Sequence, residues 1–95
     1  MVMNSHQKWL LGLYVSGDTE KNRKSISTVR QICDAHLKGK YEIEIIDVME
    51  TPQKAFTDNI IATPSLLRKL PVPLRKIIGD LTDREKVLKG LEIGV

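Results

Sequence analysis

The sequence predicts an α/β fold, and three features of it lead there. Short apolar, β-branched runs alternate with segments of helical period; the longest helical segment sits between two strand-like runs; and no apolar stretch approaches the ~20 residues that would span a bilayer. The 95 residues suffice for one modest core, so residues 1–95 are expected to form a single domain.

Lys8 to Val15 reads KWLLGLYV, apolar, aromatic and too short for a typical helix, and Ser16-Gly17-Asp18 bounds it. A buried strand at the centre of a sheet is expected there. Ile26, Val29, Cys33 and Leu37 then recur at spacings of three and four, with Ile32 beside them, which lays one apolar stripe along a helix from about Thr19 to Lys38. Gly39 stands where a helix would end.

Tyr41 to Val48 has period two, with Tyr41, Ile43 and Ile45 on one face and Glu42, Glu44 and Ile46 on the other. Two glutamates on one face suit a strand at the sheet edge. A long helix joins this strand to the first, so a right-handed βαβ unit with parallel strands is the economical arrangement. Thr51-Pro52 has the form of an N-cap followed by proline at the first helical position, opening a short helix with Ala55 and Phe56.

Ile60 to Leu67 reads as a strand approached through Pro64, and Pro71-Val72-Pro73 forces a turn. Leu74 to Asp80 supplies a further short strand that ends at Gly79. Thr82 and Glu85 have capping-box spacing, so a last helix should begin there and carry Val87, Leu88 and Leu91 inward.

The order βαβαββα is that of thioredoxins. Ala62-Thr63-Pro64-Ser65-Leu66-Leu67 resembles their proline-entered third strand, which implies a cis Thr63–Pro64 bond. The dithiol chemistry of that fold needs Cys-x-x-Cys at the start of the first helix, and this sequence has Ser16-Gly17-Asp18-Thr19 instead. Its one cysteine, Cys33, lies on the apolar stripe and reads as a core residue. His36 has no partner ligands in sequence, His6 belongs to a terminus, and Asp47, Asp80 and Asp83 are spread over turns. No catalytic constellation emerges, no metal or cofactor is expected, and the chain reads as a binding module rather than an enzyme.

The formal charge of +3 comes from scattered lysines and arginines. Without a basic stripe interleaved with exposed aromatics, nucleic acid is not an expected partner, and neither is a membrane. No export signal is legible at Met1 to Lys8, so a cytoplasmic location is expected.

Several stretches together resemble the KaiB family: Leu13-Tyr14-Val15-Ser16-Gly17, Ile46-Asp47-Val48 with Pro52-Gln53, Ala62 to Leu66, Leu70-Pro71-Val72-Pro73, and above all the run from Arg75 to Leu88. The resemblance covers about Trp9 to Leu91. It implies a non-catalytic regulatory protein of clock or stress signalling that binds the hexameric RecA-type ATPase KaiC. It also implies two folds, one thioredoxin-like and monomeric, the other a tetramer-forming βαββααβ arrangement. By position, KaiC contacts of the family fall on Lys24, Arg68, Arg75 and Lys76, an expected basic face. Glu42 and Glu44 stand where the family's KaiA-contacting edge commonly has a small residue and a lysine, so a KaiA-type partner is not expected.

The prolines Pro64, Pro71 and Pro73 are cis-proline or fold-switch candidates. So are Gly90 and Glu92, which weaken a C-terminal helix, while Leu91, Ile93 and Val95 also alternate as a strand. The sequence ends at Val95 without the acidic tail common in clock-type members, which favours the thioredoxin-like form and implies a weaker affinity for KaiC; a homo-oligomer is left open. The rival reading is a thioredoxin-like stress or redox protein acting through Cys33 or another partner, without a circadian role.

Overall fold

The computed structural model describes residues 8–93. Its elements are β1 (Trp9–Val15), α1 (Glu20–His36), β2 (Tyr41–Asp47), α2 (Pro52–Thr57), β3 (Ser65–Leu70), β4 (Arg75–Ile78) and α3 (Arg84–Leu91). The expected βαβαββα order is therefore present. The four strands form one sheet in the order β2-β1-β3-β4, with β1 and β2 parallel and the other neighbours antiparallel.

The strand period assigns each side chain to a face. On one face Leu11, Leu13 and Val15 of β1, Leu66 of β3 and Ile77 of β4 meet Val29, Ile32 and Cys33 of α1 and Val87 and Leu91 of α3. This is the main core, and the α1 stripe and the inward residues of α3 are those the spacing predicts. On the opposite face Tyr14, Ile46 and Leu67 form a smaller cluster, with Val48 and Ile60 against it. The α2–β3 connection lies on this side, tied down by the Tyr14 hydroxyl, which donates to the Asp58 carboxylate.

Helix ends follow the chain's local chemistry with one exchange. Thr19 caps α1 by accepting from the Asn22 N–H at 3.1 Å, and α1 closes into Gly39 at φ +77°, a conformation that glycine adopts without a Cβ penalty. At α3 the cap is Asp83, which accepts from the Lys86 N–H at 3.1 Å, and not Thr82. The Thr82 N–H and hydroxyl are already committed to Asp80 Oδ1 at 2.9 and 2.5 Å.

The third strand begins at Ser65, later than the apolar pattern suggests. Pro64 has no N–H to give to a ladder, its carbonyl accepts from the Gly79 N–H at 3.2 Å, and Ile61 is 86% exposed. The Thr63–Pro64 bond is cis, as the thioredoxin resemblance implies, and so are Leu70–Pro71 and Val72–Pro73. The strand-like alternation of Leu91, Ile93 and Val95 is not what forms at its described positions, because Leu91 ends α3 and Glu92 is its left-handed C-cap. Gly94, Val95 and His6 lie outside the described residues.

Candidate partner-binding surface

The corner where thioredoxins keep their dithiol is here a closed polar turn. The Gly17 and Met49 N–H groups donate to Asp47 Oδ1 at 3.2 and 2.9 Å, and Asn22 Nδ2 donates to the Ser16 and Gly17 carbonyls at 3.1 and 2.8 Å. Every group in that set satisfies another, and none is a nucleophile. Cys33 is fully buried in α1. Burial first, and the nearby Asp34 carboxylate second, push its thiol up to about 12, so it is protonated and enclosed at neutral pH. Among the described residues no group of His, Cys, Asp or Glu is arranged to hold a metal ion.

The four cations of the expected basic face do not share one face. Lys24 is exposed on α1, with its ammonium 3.9 Å from Glu20. Arg75 and Lys76 are neighbours on β4, so they project from opposite faces of the sheet. Arg75 turns toward the end of α3 and donates to Glu92 Oε2 at 3.1 Å, whereas Lys76 turns toward the α2–β3 connection and donates to the Asn59 carbonyl at 2.6 Å.

Arg68 is a correction of a different kind, being 3% exposed. Its guanidinium donates to the Leu91 carbonyl at 2.7 Å and the Pro73 carbonyl at 2.8 Å. It also lies 3.5 Å from Glu92 Oε1 and 5.3 Å from the centre of the Trp9 ring. A planar fork with five donors can satisfy several carbonyls at once and stack on an aromatic face, which an ammonium cannot. Arg68 thus fastens the end of α3 and the Pro71–Pro73 turn to the sheet, and it is not available to a partner at this surface.

Sequence reasoning missed the exposed apolar side chains that flank the loop held by Lys76. Phe56 and Ile61 are each 86% exposed, and the chain between them folds back on α2 through the Asn59 N–H to Phe56 carbonyl and Ile60 N–H to Ala55 carbonyl bonds. Lys76 grips the same loop at Asn59. The signal was present: α2 has no helical stripe, so its one aromatic residue has no core to enter.

Residues 12–93 match the family model described as KaiB domain. A protein of Prochlorococcus marinus called circadian clock oscillator protein KaiB is 47% identical over 91 residues, covering 96% of this chain and 85% of that protein. Its namesake in Synechococcus elongatus is 44% identical over 91 residues, covering 96% and 89%. Among solved structures, the N-terminal domain of Synechococcus elongatus SasA superposes with a TM-score of 0.74 at 24% identity, covering 90% of this chain and 85% of that one. Mitochondrial thioredoxin 3 of Saccharomyces cerevisiae gives 0.71 at 18% identity, covering 93% and 80%. The last two establish the fold alone, which is thioredoxin-like, while the family model and the identity along nearly the whole chain establish that it belongs to the KaiB family.

Proposed function

We propose that this chain is a non-catalytic regulatory protein of the circadian type that works by docking on a KaiC-type RecA-family ATPase. The observation that carries the proposal is the 47% identity with a circadian clock oscillator protein KaiB across 96% of the chain. Two features of the surface support it. Phe56 and Ile61 are exposed on either side in sequence of Asn59, whose carbonyl accepts from Lys76, and protein interfaces combine exposed apolar side chains with a polar, charged rim. Lys24 and Arg75 supply further exposed cations, and Arg68 acts from within by holding the frame. The buried, protonated Cys33 gives the rival redox reading no support.

Charge at such a surface chiefly steers encounter and fixes register. Titration of the purified protein against the cognate ATPase should give a complex whose association slows as salt rises. Arg75→Glu with Lys76→Glu should weaken it, and circular dichroism of the variant should separate loss of docking from any loosening of the Arg75–Glu92 pair at the end of α3. Absence of binding by the wild type, or equal binding by both forms, refutes the docking surface.

A further inference from the structure

Tyr14 joins the centre of the sheet to the segment that displays Phe56 and Ile61. It is fully buried in β1, two residues from Gly12 and so on the same sheet face. A Cβ built on Gly12 would lie 2.9 Å from Tyr14 Cε1, 3.1 Å from its hydroxyl oxygen and 3.2 Å from Cζ. The ring therefore lies along the sheet over Gly12, in space that only glycine leaves free, and its hydroxyl reaches the Asp58 carboxylate at the end of α2. Burial first, and the hydrogen bond to Asp58 second, hold that hydroxyl above its ordinary range, so it remains a donor at neutral pH.

Apolar packing does little to hold α2. The helix has six residues, none of them buried, and Thr51 makes no side-chain cap bond. A cleft of about 360 Å³ opens between it and the sheet, with Gln53, Lys54, Thr57 and Asp58 on one side and Glu44 and Lys69 on the other. The Asn59 and Ile60 N–H groups donate back to the Phe56 and Ala55 carbonyls at 3.2 and 2.8 Å, which closes the turn without attaching it to the sheet. Attachment comes from Ile60 against the Tyr14, Ile46 and Leu67 cluster and from side-chain ties. Three of these ties are lysines: Lys54 to Glu44, Lys69 to Asp58 and Lys76 to the Asn59 carbonyl. Long solvated side chains lose much entropy when fixed, so such pairs add little. Tyr14 differs from them because it acts from a rigid strand with its ring already in place.

Building on the docking reading above, we propose that Tyr14 is a positioning residue for the partner surface: its hydroxyl, aimed over Gly12 and fixed to Asp58, holds the segment from Phe56 to Ile61 in the arrangement that meets the ATPase. A helix with no buried residue is free to take other arrangements once that bond is lost. A surface that is competent only part of the time binds with an affinity reduced by that fraction, and a preordered one loses less entropy on docking.

The test combines hydrogen exchange with titration of the full chain against the cognate ATPase. Tyr14→Phe keeps the ring and removes the donor. Exchange of the Asn59 and Ile60 amides should speed up roughly tenfold, the scale of one hydrogen bond to a charged group, relative to amides of β1 and α1 that open only with the whole fold. Affinity for the ATPase should fall severalfold, by no more than the same factor. Asp58→Ala should reproduce both effects and add nothing to Tyr14→Phe. Asp58→Asn loses the pair with Lys69 but keeps a carbonyl for the hydroxyl, and should stay near wild type. Gly12→Ala, which displaces the ring and leaves the hydroxyl, should speed the same two amides. Unchanged amides in Tyr14→Phe, faster amides with undiminished affinity, or an Asp58→Asn variant as impaired as Asp58→Ala would each overturn the role of Tyr14 while the docking reading stands. A wild type that binds no ATPase refutes the docking reading itself, and the positioning role with it.

Discussion

Gly90 tests how tightly α3 sits on the sheet. A Cβ built there would lie 2.4 Å from Ile77 Cγ1 and 2.5 Å from its Cδ1, well inside van der Waals contact. Ile77 is 5% exposed, and a β-branched side chain has few rotamers into which it can retreat. Two effects of Gly90→Ala therefore oppose each other. Helix propensity favours alanine by about 1 kcal/mol, and forcing a methyl into a packed core costs typically ~1–3 kcal/mol. With both contacts so short the steric effect should win, leaving a net loss of about 1 kcal/mol, which in a domain of this size lowers the melting temperature by roughly 4–8 °C.

The sign should reverse once the obstacle is removed. Ile77→Ala by itself opens a cavity and destabilises by ~2–5 kcal/mol, but on that background Gly90→Ala should stabilise, because the methyl fills space and the propensity gain is unopposed. Urea unfolding of the four proteins, followed by circular dichroism, measures the coupling as a double-mutant cycle. A midpoint that rises on Gly90→Ala in the wild-type background, or a cycle without a change of sign, would refute the close approach of α3 and β4.

Two further outcomes follow from buried groups. Replacing Arg68 by leucine should destabilise by about 1–3 kcal/mol, the range for stranding buried hydrogen-bonding groups such as the Leu91 and Pro73 carbonyls; Glu92→Gln should matter less because that carboxylate is 43% exposed, and equal midpoints for wild type and Arg68→Leu would refute the clasp. Cys33 ionises from 9.0 in an ordinary setting to about 12 in the fold, so below pH 9 both states hold the proton and the thiol makes no pH-dependent difference. Above it the unfolded chain sheds its proton first, and stability is lost as pH rises from 9 toward 12. Alkylation of native protein at pH 8 should be much slower than in urea, and equal rates would show the thiol to be accessible.

The strongly periodic parts of the fold were legible. The apolar run of β1 and the stripe of α1 left few alternatives, and two glutamates on β2 marked an edge. What was not legible depended on partners distant in sequence. Thr82 has the spacing of a cap, but its hydroxyl is taken by Asp80, and nothing in the pattern ranks those two acceptors. The late start of β3 lies at Pro64, which accepts from the Gly79 N–H but has no N–H to complete that rung, and which residue would stand opposite it was not visible in the pattern. Arg68 could have been found, since it shares strand parity with Leu66 and so had to face the core; its charge argued for solvent more loudly than its position argued against it. Gly90 read as a weak point of the helix, and in the fold it is a place where Ile77 leaves no room for a Cβ.

The burial of Arg68 changes how a docking surface on this chain must be tested. A variant at Arg68 that fails to bind an ATPase would be ambiguous, because the same guanidinium fastens the last turn of α3, and any loss could be a loss of fold. Arg75 is free of that ambiguity only in part, since it shares the Glu92 carboxylate with Arg68, and reversing its charge puts two acids beside each other at the helix end. Lys76 is the cleaner probe. It stands on the other sheet face, its one hydrogen bond is to the backbone of an exposed loop, and the apolar side chains most exposed to solvent flank that loop. A partner oriented by the α3 side would be sensitive to Arg75 and indifferent to Lys76, and one oriented by the α2 side would show the reverse. The pair of single reversals therefore reports which face docks, a question that the double reversal alone does not separate.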